Sequence, residues 1–126
     1  MIVDSNIFIY SLLPQYEALQ QFLLSDVDQF QASAITKLEV AGFHKLVAGE
    51  KQYFDDLFSI IHVFPIDEKT IAKAIELRQQ RKRSLADSII AATALIHAMP
   101  VLTNNVADFA DIDGLQVIQL TDVLNA

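Results

Sequence analysis

The sequence contains no cysteine, only three glycines and three prolines, and no long uninterrupted apolar run. The absence of cysteine excludes disulfide bonds and zinc sites built from thiolates. Scarce glycine and proline, together with 52% hydrophobic residues, exclude a disordered chain and predict a packed core. At 126 residues, the chain is long enough for one such core and is predicted to be a single domain, 1–126.

No apolar stretch reaches the roughly 18 residues that a membrane-spanning helix requires. The most apolar segment, 88–102, is interrupted by Thr93, His97 and Pro100. The opening "MIVD" also lacks the basic residues of a targeting leader. These features predict a soluble, cytoplasmic protein without a membrane partner.

Positive charge is scarce, and the formal net charge is −7. This balance argues against a polyanionic partner, because Lys and Arg make most contacts to phosphate. The distribution is uneven, however, since four of the nine basic residues lie in "RQQRKR", 78–83. Carboxylates grouped around divalent cations would also be partly neutralised, so the total charge does not exclude a nucleic acid.

Short apolar runs alternate with longer amphipathic segments, a pattern typical of strands joined by helices around a parallel sheet. The predicted strands are 1–4, 31–35, 60–64, 100–103 and 115–119. The predicted helices are 15–25, 36–48, 50–58, 67–82 and 85–98, with short helical turns near 106–110 and 121–125. The expected fold is α/β, a three-layer α/β/α sandwich with a mostly parallel central sheet of four to five strands.

Four acidic residues stand near predicted strand ends, where open parallel sheets bind their ligands. Asp4 closes the first strand, and Glu39 lies one turn into the helix after the second. Asp87 opens the helix that leads to the fourth strand, and Asp108 follows that strand. Their recurrence at one edge predicts a shared site.

Each acid also has a local explanation, because a side chain near a helix start can satisfy free backbone amides. Asp4 can cap the turn after its strand. Three pairs have the spacing of a capping box: Thr36–Glu39, Ser84–Asp87 and Asn105–Asp108. Capping does not explain why the acids converge, since like charges oppose one another's ionisation. Mg²⁺ or Mn²⁺ would offset that repulsion and prefers carboxylate oxygen, and a capped residue can still bind it.

Four segments, taken in order, resemble the motifs of PIN (PilT N-terminus) domains, and within that family the VapC-type ribonuclease toxins of prokaryotic toxin–antitoxin pairs. The segments are "MIVDSNIFIY", "SAITKLEVAGF", "SLADSIIAATAL" and "VLTNNVADFADIDGLQVI". The family's invariant acids fall on Asp4, Glu39 and Asp87, and its more variable fourth acid falls on Asp108, with Asn105 as the alternative. Ala86 departs from the family, where many relatives have a proline that favours the first helical turn.

The resemblance implies hydrolysis of RNA phosphodiester bonds to a 5′-phosphate and a 3′-hydroxyl, with one or two Mg²⁺ or Mn²⁺ ions. Asp4, Asp87 and Asp108 are the implied metal ligands, and Glu39 either binds metal or orients the nucleophile. The implied supporting residues are Asn6, Thr103, Asn104 and Asn105. The implied partners are the RNA substrate, a small antitoxin protein and a second copy of the chain.

Two interpretations of the basic run remain open. In the first, the basic side chains lie at the C-terminal end of a helix, where positive charge is favoured by the helix dipole, and they point into solvent. Alternatively, Arg81 or Arg83 grips RNA phosphates beside the metal site. The three histidines form no catalytic pattern and are predicted to be structural or superficial: His44, His62 and His97.

Three other functions fit parts of the sequence. A haloacid-dehalogenase-like phosphatase needs a second acid two residues after Asp4, where this chain has Asn6. A receiver domain needs an acid after its third strand, which Asp67 imitates, and a Lys after its fifth, which "VIQLTDVL" lacks. A PIN-like domain without catalysis, acting as a binding module, is the third alternative, and a metal titration distinguishes it from the enzyme.

Overall fold

A computed structural model describes residues 1–124 and shows one sheet of five parallel strands. The strands are Ile2–Val3 (β1), Gln31–Ser33 (β2), His62–Phe64 (β3), Val101–Thr103 (β4) and Val117–Gln119 (β5). Their order across the sheet is β3-β2-β1-β4-β5, so the strand order reverses between β1 and β4. The prediction of a parallel α/β sheet is confirmed.

Seven α-helices lie within the described residues, and they enclose the sheet in three layers. They are Ser5–Tyr10 (α1), Glu17–Ser25 (α2), Ala34–Ala41 (α3), Ala48–Ile60 (α4), Glu68–Gln80 (α5), Leu85–Ile96 (α6) and Leu120–Leu124 (α7). Short 3-10 turns are formed by Pro14–Tyr16, Val27–Gln29 and Val106–Asp108. None of the described helices combines the length and apolar character needed to cross a bilayer.

Two hydrophobic cores form because successive side chains of a strand point to opposite faces of the sheet. Val3 and Leu102 contribute to one core, with buried residues of α1, α2, α4 and α7. Ile2 and Val101, their immediate neighbours, contribute to the other, with α5 and α6. Burial on both faces explains why the central strands appear in the sequence as continuous apolar runs.

Helix α6 is buried over most of its length, from Ser88 to Ala94. Its polar members are satisfied within the helix: Ser88 Oγ donates to the Ser84 carbonyl at 2.8 Å, and Thr93 Oγ1 donates to the Ile89 carbonyl at 2.7 Å. The helix can therefore pass through the core without leaving a hydroxyl unpaired. Only its first turn reaches the edge of the sheet where Asp87 lies.

Two helical predictions need correction. Helix α1 was not predicted, because "SNIFIY" is rich in residues that favour strands; its helical form buries Ile7 and Phe8 in the core. The helix predicted at 36–48 begins at Ala34 and ends at Ala41, and the chain turns at Gly42. A Cβ at Gly42 would lie 2.5 Å from the Leu38 carbonyl oxygen, so a larger residue cannot occupy this helix end unchanged.

The other element boundaries differ from the prediction by one or two residues, as is usual for helix and strand ends. Strand β2 ends at Ser33 rather than at residue 35, because α3 starts earlier than its sequence pattern indicates. The turn predicted at 121–125 corresponds to α7, and residue 125 lies outside the described residues. The C-terminal limit of the predicted domain, 126, lies outside them as well.

Candidate metal centre

Asp4 lies at the junction of β1 and α1, beside the point where the strand order reverses. It is 5% exposed, and its Oδ2 accepts a hydrogen bond from Thr103 Oγ1 at 2.8 Å. Thr103 ends the neighbouring strand β4 and itself accepts from the Asn105 amide at 2.9 Å. The structure therefore brings Asp4 and Thr103 together, in the crevice where open α/β sheets bind ligands.

Burial raises the pKa of the Asp4 carboxyl to about 6. The hydrogen bond from Thr103 opposes this change, whereas the negative charges of Asp87 and Glu39 add to it. A carboxylate held among other acids and away from water is costly to ionise. A cation at this position would reverse that cost.

Asp87 lies in the first turn of α6 and is half-buried. Ser84 is the N-cap, and its Oγ accepts a hydrogen bond from the Asp87 amide at 3.0 Å, so the capping role of Ser84 is confirmed. Burial raises the pKa of Asp87, with further contributions from the charges of Asp108 and Glu39. Its electrostatic neighbours are therefore mainly other acids.

Glu39 lies on α3, is exposed, and accepts a hydrogen bond from Ser5 Oγ at 2.7 Å. The predicted capping box between Thr36 and Glu39 is wrong, because α3 begins two residues before Thr36. Ser33 caps the helix instead, its Oγ accepting from the Ile35 amide at 3.2 Å. Ser5 was not among the predicted site residues, although its place directly after Asp4 was the available signal.

Asp108 ends the 3-10 turn that follows β4 and is half-buried. The predicted cap at Asn105 is wrong, since the Asn105 side chain makes no capping bond; its backbone carbonyl accepts from the Asp108 amide at 3.0 Å. Asn6 and Asn104, the other predicted supporting residues, are half-buried and adjoin Asp4 and Thr103 in the chain. The interaction of Asp108 with Asp87 places the fourth acid at the same edge.

The two predicted RNA-binding arginines differ. The Arg81 side chain is 44% exposed, and its charge lowers the pKa of Asp87, which places it near the acids. The Arg83 side chain is only 2% exposed and forms an ion pair with Asp111 at 2.7 Å. Arg83 is therefore held in an internal ion pair and is not accessible to an RNA phosphate, which corrects the prediction for this residue.

The histidines lie against aromatic rings. The rings of His62 and His97 flank Phe64, with centroids 4.4 and 3.8 Å from its own, and both histidines are exposed. His44 contacts Phe43 in the same way. All three histidines therefore lie at the surface and pack against aromatic rings, as predicted.

The acids of this edge come from the end of β1, from α3, from α6 and from the turn after β4. In residues 1–124, no three His, Cys, Asp or Glu side chains are already grouped as the ligands of one ion. The donors nevertheless fit a hard divalent cation, because all are carboxylate oxygens and Mg²⁺ keeps several waters in place of further protein ligands. Burial raises the pKa of both Asp4 and Asp87, and the charges of neighbouring acids add to the rise, so a bound cation would stabilise the ionised form of each carboxylate.

The sequence model of the PIN domain matches residues 1–115. The chain therefore belongs to the PIN domain family, which confirms the resemblance seen in its motifs. The strand order is consistent with this assignment and differs from the 2-1-3-4-5 order of receiver-like domains. Comparison with curated protein sequences gave no match.

Several solved structures are similar to this chain over nearly its whole length. A toxin–antitoxin complex from Klebsiella pneumoniae contains a chain that is 32% identical, with 93% of this chain and 94% of that one covered and a TM-score of 0.74. FitAcB from Neisseria gonorrhoeae is 26% identical, with 93% and 95% covered and a TM-score of 0.75. DNA-bound VapBC from Salmonella typhimurium shares the fold at 21% identity, with 94% and 96% covered and a TM-score of 0.79.

Proposed function

We propose that this protein is a metal-dependent endoribonuclease and the toxin of a VapBC-type toxin–antitoxin pair. The observation that carries the proposal is the buried carboxylate of Asp4, whose pKa is raised by its surroundings and by the charges of Asp87 and Glu39. Membership of the PIN family, and similarity to a chain of the Klebsiella toxin–antitoxin complex, support the nuclease class.

Asp4, Asp87 and Asp108 would hold one or two Mg²⁺ or Mn²⁺ ions, and Glu39 would either join them or orient the attacking water. Held by these carboxylates, such an ion would supply a more acidic water and positive charge opposite the phosphate oxygens. Cleavage in this way leaves a 5′-phosphate and a 3′-hydroxyl.

The surrounding polar residues hold these acids in place. Thr103 fixes one oxygen of Asp4, and Ser5 fixes one oxygen of Glu39. Asn6 and Asn104 supply further polar groups next to them in the chain, with Asn105 binding Thr103 through its amide. Arg81, exposed and close to Asp87, supplies a cation for an RNA phosphate.

We assign to the protein a small antitoxin partner, a homodimeric state and a cytoplasmic location. The antitoxin is supported by the similar structures, which include the Klebsiella toxin–antitoxin complex and the DNA-bound VapBC from Salmonella. The dimer is supported by exposed large apolar side chains, which could supply the apolar surface that subunit interfaces bury. Examples are Leu38, Ile71, Ile75 and Leu85, each 48% exposed or more.

The test is cleavage of total RNA by the purified parent protein and its Asp4→Asn and Asp87→Asn variants, with Mg²⁺ and with chelator. We expect Mg²⁺-dependent cleavage by the parent alone, and mapping of the ends should give 5′-phosphates. Undiminished Mg²⁺-dependent cleavage by Asp87→Asn would refute the proposed site. Mn²⁺ binding without any cleavage would instead favour the binding module.

A further inference from the structure

Arg83 joins two segments that border the metal centre. Its Nη1 and Nη2 donate to Oδ1 and Oδ2 of Asp111 at 3.2 and 2.7 Å, the paired geometry that a planar guanidinium offers a carboxylate. Its Nε donates to the Leu77 carbonyl at 2.9 Å, in the last turn of α5. Carbonyls at a helix C-terminus lack helical partners, so Arg83 also satisfies the end of α5.

Asp111 belongs to the same hydrogen-bonded segment as Asp108. The Asp108 amide donates to the Asn105 carbonyl at 3.0 Å, and the Ala110 amide donates to the Val106 carbonyl at 2.9 Å. Phe109, between them, is fully buried in the core shared with α5 and α6. Asp108 and Asp111 are therefore joined by a short turned backbone that is anchored by these hydrogen bonds and by the burial of Phe109.

Arg81 makes a second connection between the same groups. Its Nη2 donates to the Asp108 carbonyl at 3.4 Å, and its Nε lies 3.5 Å from Asp111 Oδ2. That oxygen also accepts from Arg83, so a single carboxylate connects the buried arginine with the exposed one. Loss of Asp111 would leave Arg83 buried without its counter-charge and would release Arg81.

We propose that Arg83 and Asp111 are positioning residues, which hold Asp108 and Arg81 beside Asp87. Neither residue contacts the reacting atoms; they act through the segment that carries the fourth acid. The inference rests on the proposed function, because it takes Asp108 as a ligand of a divalent cation.

The test is calorimetric titration of Mn²⁺ into the metal-free parent, Asp111→Asn and a matched control, Asp113→Asn. Asp113 is an exposed acid two residues further along, so both variants lose the same charge. We expect about a tenfold loss of Mn²⁺ affinity for Asp111→Asn, the usual effect of losing a residue that orients a ligand, and about twofold or less for the control. Equal losses in the two variants would overturn the inference, since charge alone would then explain them.

Rescue and folding controls complete the experiment. Asp111→Glu, which keeps the carboxylate, should recover most of the Mn²⁺ affinity, and circular dichroism reports whether each variant folds. If Asp111→Asn does not fold, Arg83→Lys decides, because Lys keeps the charge but not the paired contact. A folded Arg83→Lys protein with parental affinity would overturn the inference. A parent protein that binds no Mn²⁺ would overturn both this inference and the metal-dependent function. If the parent binds Mn²⁺ and Asp111→Asn binds it with the same affinity, only the positioning role is overturned.

Discussion

Thr103 donates a hydrogen bond to Asp4 over 2.8 Å, although 99 positions separate the two residues in the chain. Both side chains are buried; Asp4 directly follows β1 and Thr103 ends the neighbouring strand β4, at the reversal of strand order. The bond favours the ionised carboxylate and fixes one of its oxygens. It therefore opposes the effect of burial at the position where a cation would be held.

Replacing Thr103 with Val should shift the pH dependence of RNA cleavage upwards. The hydrogen bond lowers the pKa of Asp4, so its loss raises that pKa, and we expect the acidic limb to move by about one pH unit. The measurement is a pH–rate profile at a Mg²⁺ concentration below saturation, where protons compete with the metal for Asp4. Thr103→Ser keeps the hydroxyl and should retain the parental profile; an unchanged profile in Thr103→Val would contradict the role of the bond.

Asp4→Asn should stabilise the metal-free protein at neutral pH while abolishing cleavage. The pKa of Asp4 is about 6 in the fold, against 3.8 for a solvent-exposed aspartate, so the folded state holds its proton more tightly. The free energy of unfolding should thus fall as the pH rises from about 4 to about 6, by up to about 3 kcal/mol in all. Asn has no proton to lose and avoids this cost.

The measurement is urea unfolding in chelator at about pH 7.5 and about pH 3.5. The stabilisation should be present at the higher pH and nearly absent at the lower, where Asp4 is mostly protonated in both states. Asp55→Asn, at an exposed acid of α4, is the control. A gain of equal size at both pH values would show that ionisation is not its cause.

Ser84→Ala should lower the free energy of unfolding by about 1 kcal/mol, because α6 loses the hydroxyl that accepts from the Asp87 amide. Urea unfolding measures the change. Ser59→Ala is a matched control, since the Ser59 hydroxyl donates to a carbonyl on the exposed side of α4 and caps no amide. Similar losses in both variants would count against a specific capping role.

Arg81→Ala should reduce the salt dependence of RNA binding. If Arg81 contacts one phosphate, its removal lowers the slope of log affinity against log salt by about 0.7 for a single strand. Binding is measured in the Asp87→Asn background, where cleavage is absent. Arg78→Ala, another exposed cation near the end of α5, should keep the parental slope, and parallel slopes for Arg81→Ala and parent would exclude the contact.

The fold was predictable where local pattern and tertiary packing agree. Strand β4 is an example: it is fully buried, and its sequence is accordingly an apolar pair, Val101 and Leu102, followed by the polar Thr103. The acids at the edge were found in the same way, because the carboxyl ends of parallel strands share one side of the sheet. The end of α3 at Gly42 was also predictable, because glycine is common directly after a helix, although the predicted helix continued to residue 48.

The remainder depends on contacts between residues distant in sequence. Helix α1 is set by the burial of Ile7 and Phe8, which outweighs their strand preference. The pair of Arg83 and Asp111 spans 28 positions and follows no local pattern. At α3, Thr36 and Glu39 have the spacing of a capping box but do not form one, because Ser33 caps the helix three residues earlier.

The strand order also determines when the candidate site can assemble during synthesis. Strand β1 is made early and lies at the centre of the sheet, yet one of its two neighbours, β4, is made after α6. Pairings so distant in sequence form late, because a long loop must close before they yield any contact. A nascent chain therefore carries Asp4 long before Thr103 and Asp108 exist to complete its surroundings. On the proposed function, the protein stays inert towards RNA until its synthesis has passed β4.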